Sequence, residues 1–102
     1  MKPLRFGTAD SKEYLQALDY IETQRGGYGR RLYDALEAAF ERIRCDPGSF
    51  AQYGDTEMRE CIIRKFRYAI YFGEKDDCIW IAAVAHGSRR PGYWLNRTYD
   101  DG

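Results

Sequence analysis

Histidine occurs once in this sequence, and cysteine and proline three times each. A single histidine, with Cys45, Cys61 and Cys78 far apart and no CxxC pair, cannot complete a zinc site of usual spacing. An odd, scattered set of cysteines also argues against a disulfide framework and points to a reducing cytoplasm. Long apolar runs are missing: no stretch approaches the ~18 residues of a membrane span, and the start "MKPLRFGTADSKEY" lacks the apolar run of an export signal. The expectation is a soluble, cytoplasmic protein with no membrane partner, no metal and no cofactor. Net charge is missing too, since 16 Lys and Arg balance 16 Asp and Glu. Neither a repeat nor a low-complexity segment occurs. "GGYG" is not a phosphate loop, because it has no preceding strand and no Lys-Ser/Thr pair. No Ser-His-acid set or paired-carboxylate motif stands out.

What is there is one domain's worth of apolar residues, 44% of 102 positions with 16% aromatic, enough for a single core. Nine tyrosines are more than packing alone needs, so some are expected to face a partner. The charge is unevenly spread. Met1 to Glu57 holds eight basic and ten acidic residues, whereas Met58 to Arg97 holds eight basic and four acidic ones. A cationic second half suits an acidic or polyanionic partner, although a solvated basic face would read the same way.

Periodicity divides the chain. "PLRFG" reads as a short edge strand, since Pro3 lacks a ladder donor. Asp10 followed by Glu13 marks a helix start, after which Tyr14, Leu15, Ala17, Leu18 and Ile21 form an apolar stripe. "RGGYG" (residues 25–29) breaks that helix. Leu32, Leu36, Ala39, Phe40 and Ile43, with Ala35 beside them, define a second helix stopped by "CDPGSF". From Met58 the period shortens: "MRECIIRKFRYAIYFGE" is two strands with an end or bulge at Arg64-Lys65, and "EKDD" is a turn. "CIWIAAVAH" is nearly continuous in apolar residues, as a strand in the middle of a sheet or covered on both faces is. The fold class expected is α+β: an edge strand, a helical hairpin, and an antiparallel meander with the hairpin on one face.

The chemistry concentrates after that last strand, in "HGSRRPGYW". His86 can serve as a proton carrier near neutrality, or merely bond backbone at a strand end. Arg59, Arg64, Lys65, Arg67, Arg89, Arg90 and Arg97 are interleaved with Tyr68, Tyr71, Tyr93 and Trp94. That mixture suits single-stranded RNA, where bases stack on aromatics, and equally a protein groove.

Three stretches, "LDYIETQRGGYGRRLYDALEAAFERIRCDPGSF", "MRECIIRKFRYAIYF" and "CIWIAAVAHGSRRPGYW", together resemble the RelE/ParE superfamily of bacterial type II toxin–antitoxin toxins. The ParE-like plasmid stabilisation proteins are the nearest group, and the resemblance runs over about residues 4–97. It implies a single β-α-α-β-β-β toxin domain over residues 1–97 with an acidic tail at 98–102. It further implies a cognate antitoxin wrapping the hairpin, with Tyr14, Tyr20, Tyr28 and Tyr33 as its contacts, and assembly of toxin–antitoxin units into larger complexes.

On mechanism the superfamily divides. ParE-like members inhibit DNA gyrase by binding it; Arg64, Lys65, Arg89, Arg90, Tyr93 and Trp94 would then form the target surface. RelE-like members are metal-independent endoribonucleases that cut mRNA on the ribosome; Arg59, Arg67, His86, Arg89 and Tyr93 would then be catalytic. Tyr68 stands where that group carries a strand arginine, and Cys61 near the place of one of its lysines, which favours the gyrase side. A third reading is a non-toxic module that only binds an antitoxin-like peptide.

Overall fold

A computed structural model of the chain describes residues 1–99. Strand β1 (Leu4–Phe6) leads into helix α1 (Thr8–Gln24) and helix α2 (Tyr28–Cys45). Four strands follow: β2 (Ala51–Gln52), β3 (Met58–Ile63), β4 (Tyr68–Glu74) and β5 (Ile79–His86). They form one five-stranded sheet in the order β1-β5-β4-β3-β2. The β2-to-β5 portion is the expected antiparallel meander, but β1 joins β5 in parallel, with Arg5 opposite Trp80, so the sheet is mixed. Parallel pairing is possible here because the whole helical hairpin and meander lie between these two strands, far more than the dozen or so residues a parallel crossover needs.

Helix α1 begins three residues earlier than the Asp10–Glu13 pattern suggests. Gly7 is the N-cap, and the Asp10 carboxylate reaches back to accept the Gly7 N–H at 2.8 Å. Glu13 is thereby released from capping. At the hairpin tip Gly27 is left-handed (φ 86°), and the Glu22 carboxylate accepts N–H groups from Gly27 and Gly29 at 3.0 and 2.9 Å. A Cβ on Gly29 would meet Glu22 Oε1 at 2.8 Å, so glycine lets the helices approach there. Along α2 all five expected apolar positions are buried. Of the apolar stripe on α1 only Ala17 is buried; Tyr14, Leu18 and Ile21 are partly covered, and Leu15 stays 67% exposed.

A 3₁₀ turn, Arg64–Phe66, separates β3 from β4, so Phe66 and Arg67 belong to a turn rather than to the expected strand "FRYAIYF". Arg67 is the one non-glycine residue with positive φ (60°) among those described. Its carbonyl accepts the Gly87 N–H at 2.8 Å, which ties this turn to the end of β5. Phe66 is buried and packs edge-on against Tyr28 of the hairpin at 6.3 Å.

The sheet has a core on each face. Leu32, Leu36, Phe40 and Ile43 meet Ile70, Phe72, Ile79, Ile81 and Val84 on the helix side. On the other face Trp80, Ala82 and Ala83 pack with Trp94, which returns after β5 to cover them. A bulge allows both: the register steps from Tyr71–Ala83 to Phe72–Ile81 and leaves Ala82 as the extra residue. The packing continues to Tyr99, whose ring lies 6.0 Å from Trp80. That is two residues into the segment read as a tail; its residues 100–102 lie outside the described residues.

Candidate functional site

Because β1 stops at Phe6, β5 has an open edge beyond Ile81. Backbone groups there need partners, since burying them unpaired costs ~1–3 kcal/mol each. Glu13 and Arg97 supply them. The Val84 N–H donates to Glu13 Oε1 at 3.1 Å, and Arg97 Nη1 donates to the Ala82 carbonyl at 2.8 Å. The two side chains also bond to each other at 2.9 and 3.0 Å. Tyr93 completes the cluster by donating its hydroxyl to Glu13. Burial alone would raise the Glu13 carboxyl, but hydrogen bonds from Arg97, Tyr93 and Val84 outweigh it and hold its pKa below the ordinary value. The Tyr93 hydroxyl is pushed up by burial and by Glu13. Arg89 stacks on the Tyr93 ring at 3.9 Å, with Arg97 also over it at 5.3 Å.

This cluster fixes the segment after β5. Two of its members, Glu13 and Arg97, fall outside the sites expected from sequence. Glu13 reads there as a helix-start residue and Arg97 as one more cation. Nothing local signals that they meet across 84 positions.

His86 sits at the junction of two clefts. One, of about 290 Å³, lies over the non-helical face and is lined by Arg67, Tyr71, His86, Arg89, Arg90 and Trp94, among others. The second, of about 340 Å³, opens between α1 and the end of β5, with Glu13, Tyr20, Tyr68 and Ser88 in its wall. Tyr68 and Tyr20 stand edge-on to the imidazole at 5.0 and 6.3 Å. His86 Nδ1 accepts the Ser88 backbone N–H at 3.1 Å, with Ser88 Oγ 2.8 Å away. These contacts engage the Nδ1 edge of the ring.

The expected residues divide among several places. Arg67, His86, Arg89 and Tyr93 share the first cleft. Arg59 does not join them. It pairs opposite Phe72 at the far end of β3 and donates to the Phe50 carbonyl at 2.6 Å. Four residues along β3 separate it from Ile63, the strand level of His86, which is about 13 Å. Tyr93 has its hydroxyl engaged by Glu13, so it is held as a structural bridge. Trp94, expected as a contact, is 2% exposed and stacks on Tyr71 at 4.4 Å. It belongs to the second core. Arg64, Lys65, Arg89 and Arg90 are exposed, with no carboxylate within ion-pair distance among the described residues.

The tyrosines of the hairpin also separate. Tyr20 and Tyr33 are 52% and 40% exposed. Tyr14 is half-buried, stacked on Phe40, with its hydroxyl donating to Glu37 at 2.6 Å. Tyr28 is held between Arg25 and Arg31, at 4.3 and 4.8 Å from its ring. The groove between the helices is lined by Leu15, Leu18, Tyr33 and the polar Asp19, Glu22 and Arg30.

Two helices on one face of a five-stranded sheet, with the last strand inside it and the chain returning over the other face, define a ParE/RelE-type fold. Among solved structures the chain is similar to one described as "Chromosomal ParDE TA system from P. aeruginosa". The TM-score is 0.65 at 13% identity, over 84% of this chain and 96% of that one. At that identity the likeness is one of fold. No protein-family model and no curated protein matches the sequence. No described helix is long and apolar enough to cross a membrane.

Proposed function

We propose that this protein is the toxin of a ParE-like type II toxin–antitoxin pair, acting in the cytoplasm by binding DNA gyrase and neutralised by a cognate antitoxin. The observation that carries this reading is the likeness of fold over 96% of a chain from a ParDE system, joined to the sequence resemblance at "AHGSRRPGYW". The target surface is the exposed turn after β5, with Arg89 and Arg90 beside Arg64 and Lys65. Interfaces draw their energy from such arginines, often ~2 kcal/mol or more each. The antitoxin lies along the hairpin groove, where Leu15 and Tyr33 are exposed, and reaches Tyr20 on the neighbouring side of α1. Such toxin–antitoxin units can pair into larger assemblies.

A ribonuclease is the second reading, and the shared cleft of Arg67, His86 and Arg89 favours it. Against it stand the distance of Arg59, the engaged Tyr93 hydroxyl and the His86 Nδ1 already engaged by Ser88. Phosphoryl transfer draws on several cationic groups converging on one phosphate. Inducing the protein alone and with its antitoxin separates the readings. Gyrase–DNA cleavage complexes and a DNA-damage response are expected first; early mRNA cleavage with loss of translation would select the ribonuclease. A normal growth rate in both cases would leave only the non-toxic binding module.

A further inference from the structure

The sequence is electrically neutral, but the folded molecule is not neutral at both ends. Three separate segments meet at the end of the sheet where β5 finishes. The first is the hairpin tip with Arg25, Arg30 and Arg31. Its Tyr28 packs on Phe66, which places it beside the second segment, the turn with Arg64, Lys65 and Arg67. The Arg67 carbonyl then receives the Gly87 N–H from the third segment, which carries Arg89 and Arg90. Eight of the chain's 16 basic residues are thus gathered at one end, and all eight are exposed.

Nearby acids neutralise little of this. Of the eight, only Arg30 has a carboxylate within 4 Å among the described residues, that of Asp34 at 3.1 Å. The Glu22 carboxylate is occupied by the glycine N–H groups of the tip. Acidic residues collect instead at the opposite turns: Asp46 after α2, Asp55 and Glu57 before β3, and Asp76 and Asp77 between β4 and β5. Like charges crowded on one surface repel one another, and that repulsion is relieved when a polyanion lies against them.

We infer that this end of the molecule binds the phosphate backbone of double-stranded DNA without reading its sequence. Two features choose the duplex over a single strand. Single strands are held largely by bases stacking on aromatic rings. Here two of the rings beside the cations are covered by the protein's own arginines, Tyr28 by Arg25 and Arg31 and Tyr93 by Arg89 and Arg97, while the exposed Tyr20 stands edge-on to His86. The three segments present mainly guanidinium and ammonium groups, which position a phosphate backbone and carry no base readout. B-form DNA is favoured over duplex RNA because the first turn of α2, which carries Arg30 and Arg31, can border a major groove about 12 Å wide, whereas the A-form major groove is too narrow for side chains to enter. The inference does not rest on the toxin reading.

The test is fluorescence anisotropy of the purified full chain with a labelled duplex of arbitrary sequence. About six phosphate contacts give an affinity that falls roughly 10³-fold between about 50 and 200 mM salt. The double variant Arg31→Glu/Arg64→Glu should bind at least about tenfold more weakly and with a shallower salt slope. Lys12→Glu, on the exposed side of α1 away from this end, should bind like the parent. Should the first pair not fold, as judged by circular dichroism, Lys65→Glu/Arg90→Glu replaces it. Absent or salt-insensitive binding, an equal loss in Lys12→Glu, or tighter binding to single strands or duplex RNA of the same sequence would each overturn the inference. None of those outcomes would remove growth inhibition, which tests the toxin reading separately.

Discussion

The two faces of the sheet are built by different kinds of residue and from different distances along the chain. On the helix side, aliphatic residues of α2 meet alternate residues of β4 and β5, each placed by the period of its own element. On the other side, the cover is aromatic and comes from a chain that has left regular structure. Trp94 lies on Tyr71 and Tyr53, and it is held there by Tyr93 and Arg97 reaching Glu13 on α1. The difference teaches where the exposed turn after β5 gets its rigidity. It is clamped by Trp94 below and by one buried-edge carboxylate beside it, so Arg89 and Arg90 project from a fixed base.

The sharpest way to break this comparison is to remove one large residue from each face. Phe72→Ala, on the fully buried helix side, should cost about 3–5 kcal/mol and lower the denaturant midpoint of the whole chain. Trp94→Ala should cost about as much, but with a different pattern. Hydrogen exchange should accelerate first in residues 87–97 while amides of α2 keep their protection. Equal loosening of both faces would mean that the segment is not a separate layer.

Glu13→Gln tests the clamp. It removes the charge opposite Arg97 and should cost about 1–3 kcal/mol. The sign with pH follows from the depressed pKa of Glu13. Its contribution is present above the ordinary value of 4.5 and is lost as pH falls through the lower folded value. The gap in stability between parent and Glu13→Gln should therefore close on acidification. A gap that stays constant down to about pH 3 would show that the charge of Glu13 is not what holds the segment.

Asp10 is the counter-case a few residues earlier on the same helix. Its Oδ2 is buried without a partner among the described residues, and burial raises its pKa from 3.8 to about 6. The stability tied to its protonated form is fully present below 3.8 and is lost as pH rises through about 6. Asp10→Asn keeps an oxygen for the Gly7 N–H while removing the charge. It should be more stable than the parent by about 1–2 kcal/mol at pH 7, the advantage vanishing near pH 4. A destabilised Asp10→Asn at pH 7 would mean that the carboxylate is needed for capping.

The smallest effect expected is that of Leu15→Ala, within about 0.5 kcal/mol, because this residue is 67% exposed despite its place in the apolar stripe. The same variant should weaken antitoxin binding, since Leu15 lines the hairpin groove.

Much of the helix face was legible in the sequence, because helical and strand periods are local properties. Leu32, Leu36, Ala39, Phe40 and Ile43 are all buried as spaced, and the apolar run at 78–85 does lie inside the sheet with both faces covered. Three things were not legible. The parallel seat of β1 depends on a partner more than 70 residues away. The role of Trp94 depends on a chain reversal, and an aromatic after a Pro-Gly turn reads equally well as a surface contact. Glu13 matched a capping pattern that the glycine before the helix had already satisfied through Asp10. Charge showed the same limit: counting along the chain found a basic second half, but the basic end also takes Arg25, Arg30 and Arg31 from the first half.

The central claim is that the turn after β5 acts as a fixed contact surface and not as a proton-transfer site. Growth after induction of His86→Ala and of Arg89→Ala/Arg90→Ala tests it most directly, each variant first shown to fold and to bind antitoxin. The account predicts that His86→Ala still stops growth and that the double arginine variant does not. A folded, antitoxin-binding His86→Ala protein that is harmless, beside a double arginine variant that still stops growth, would contradict it.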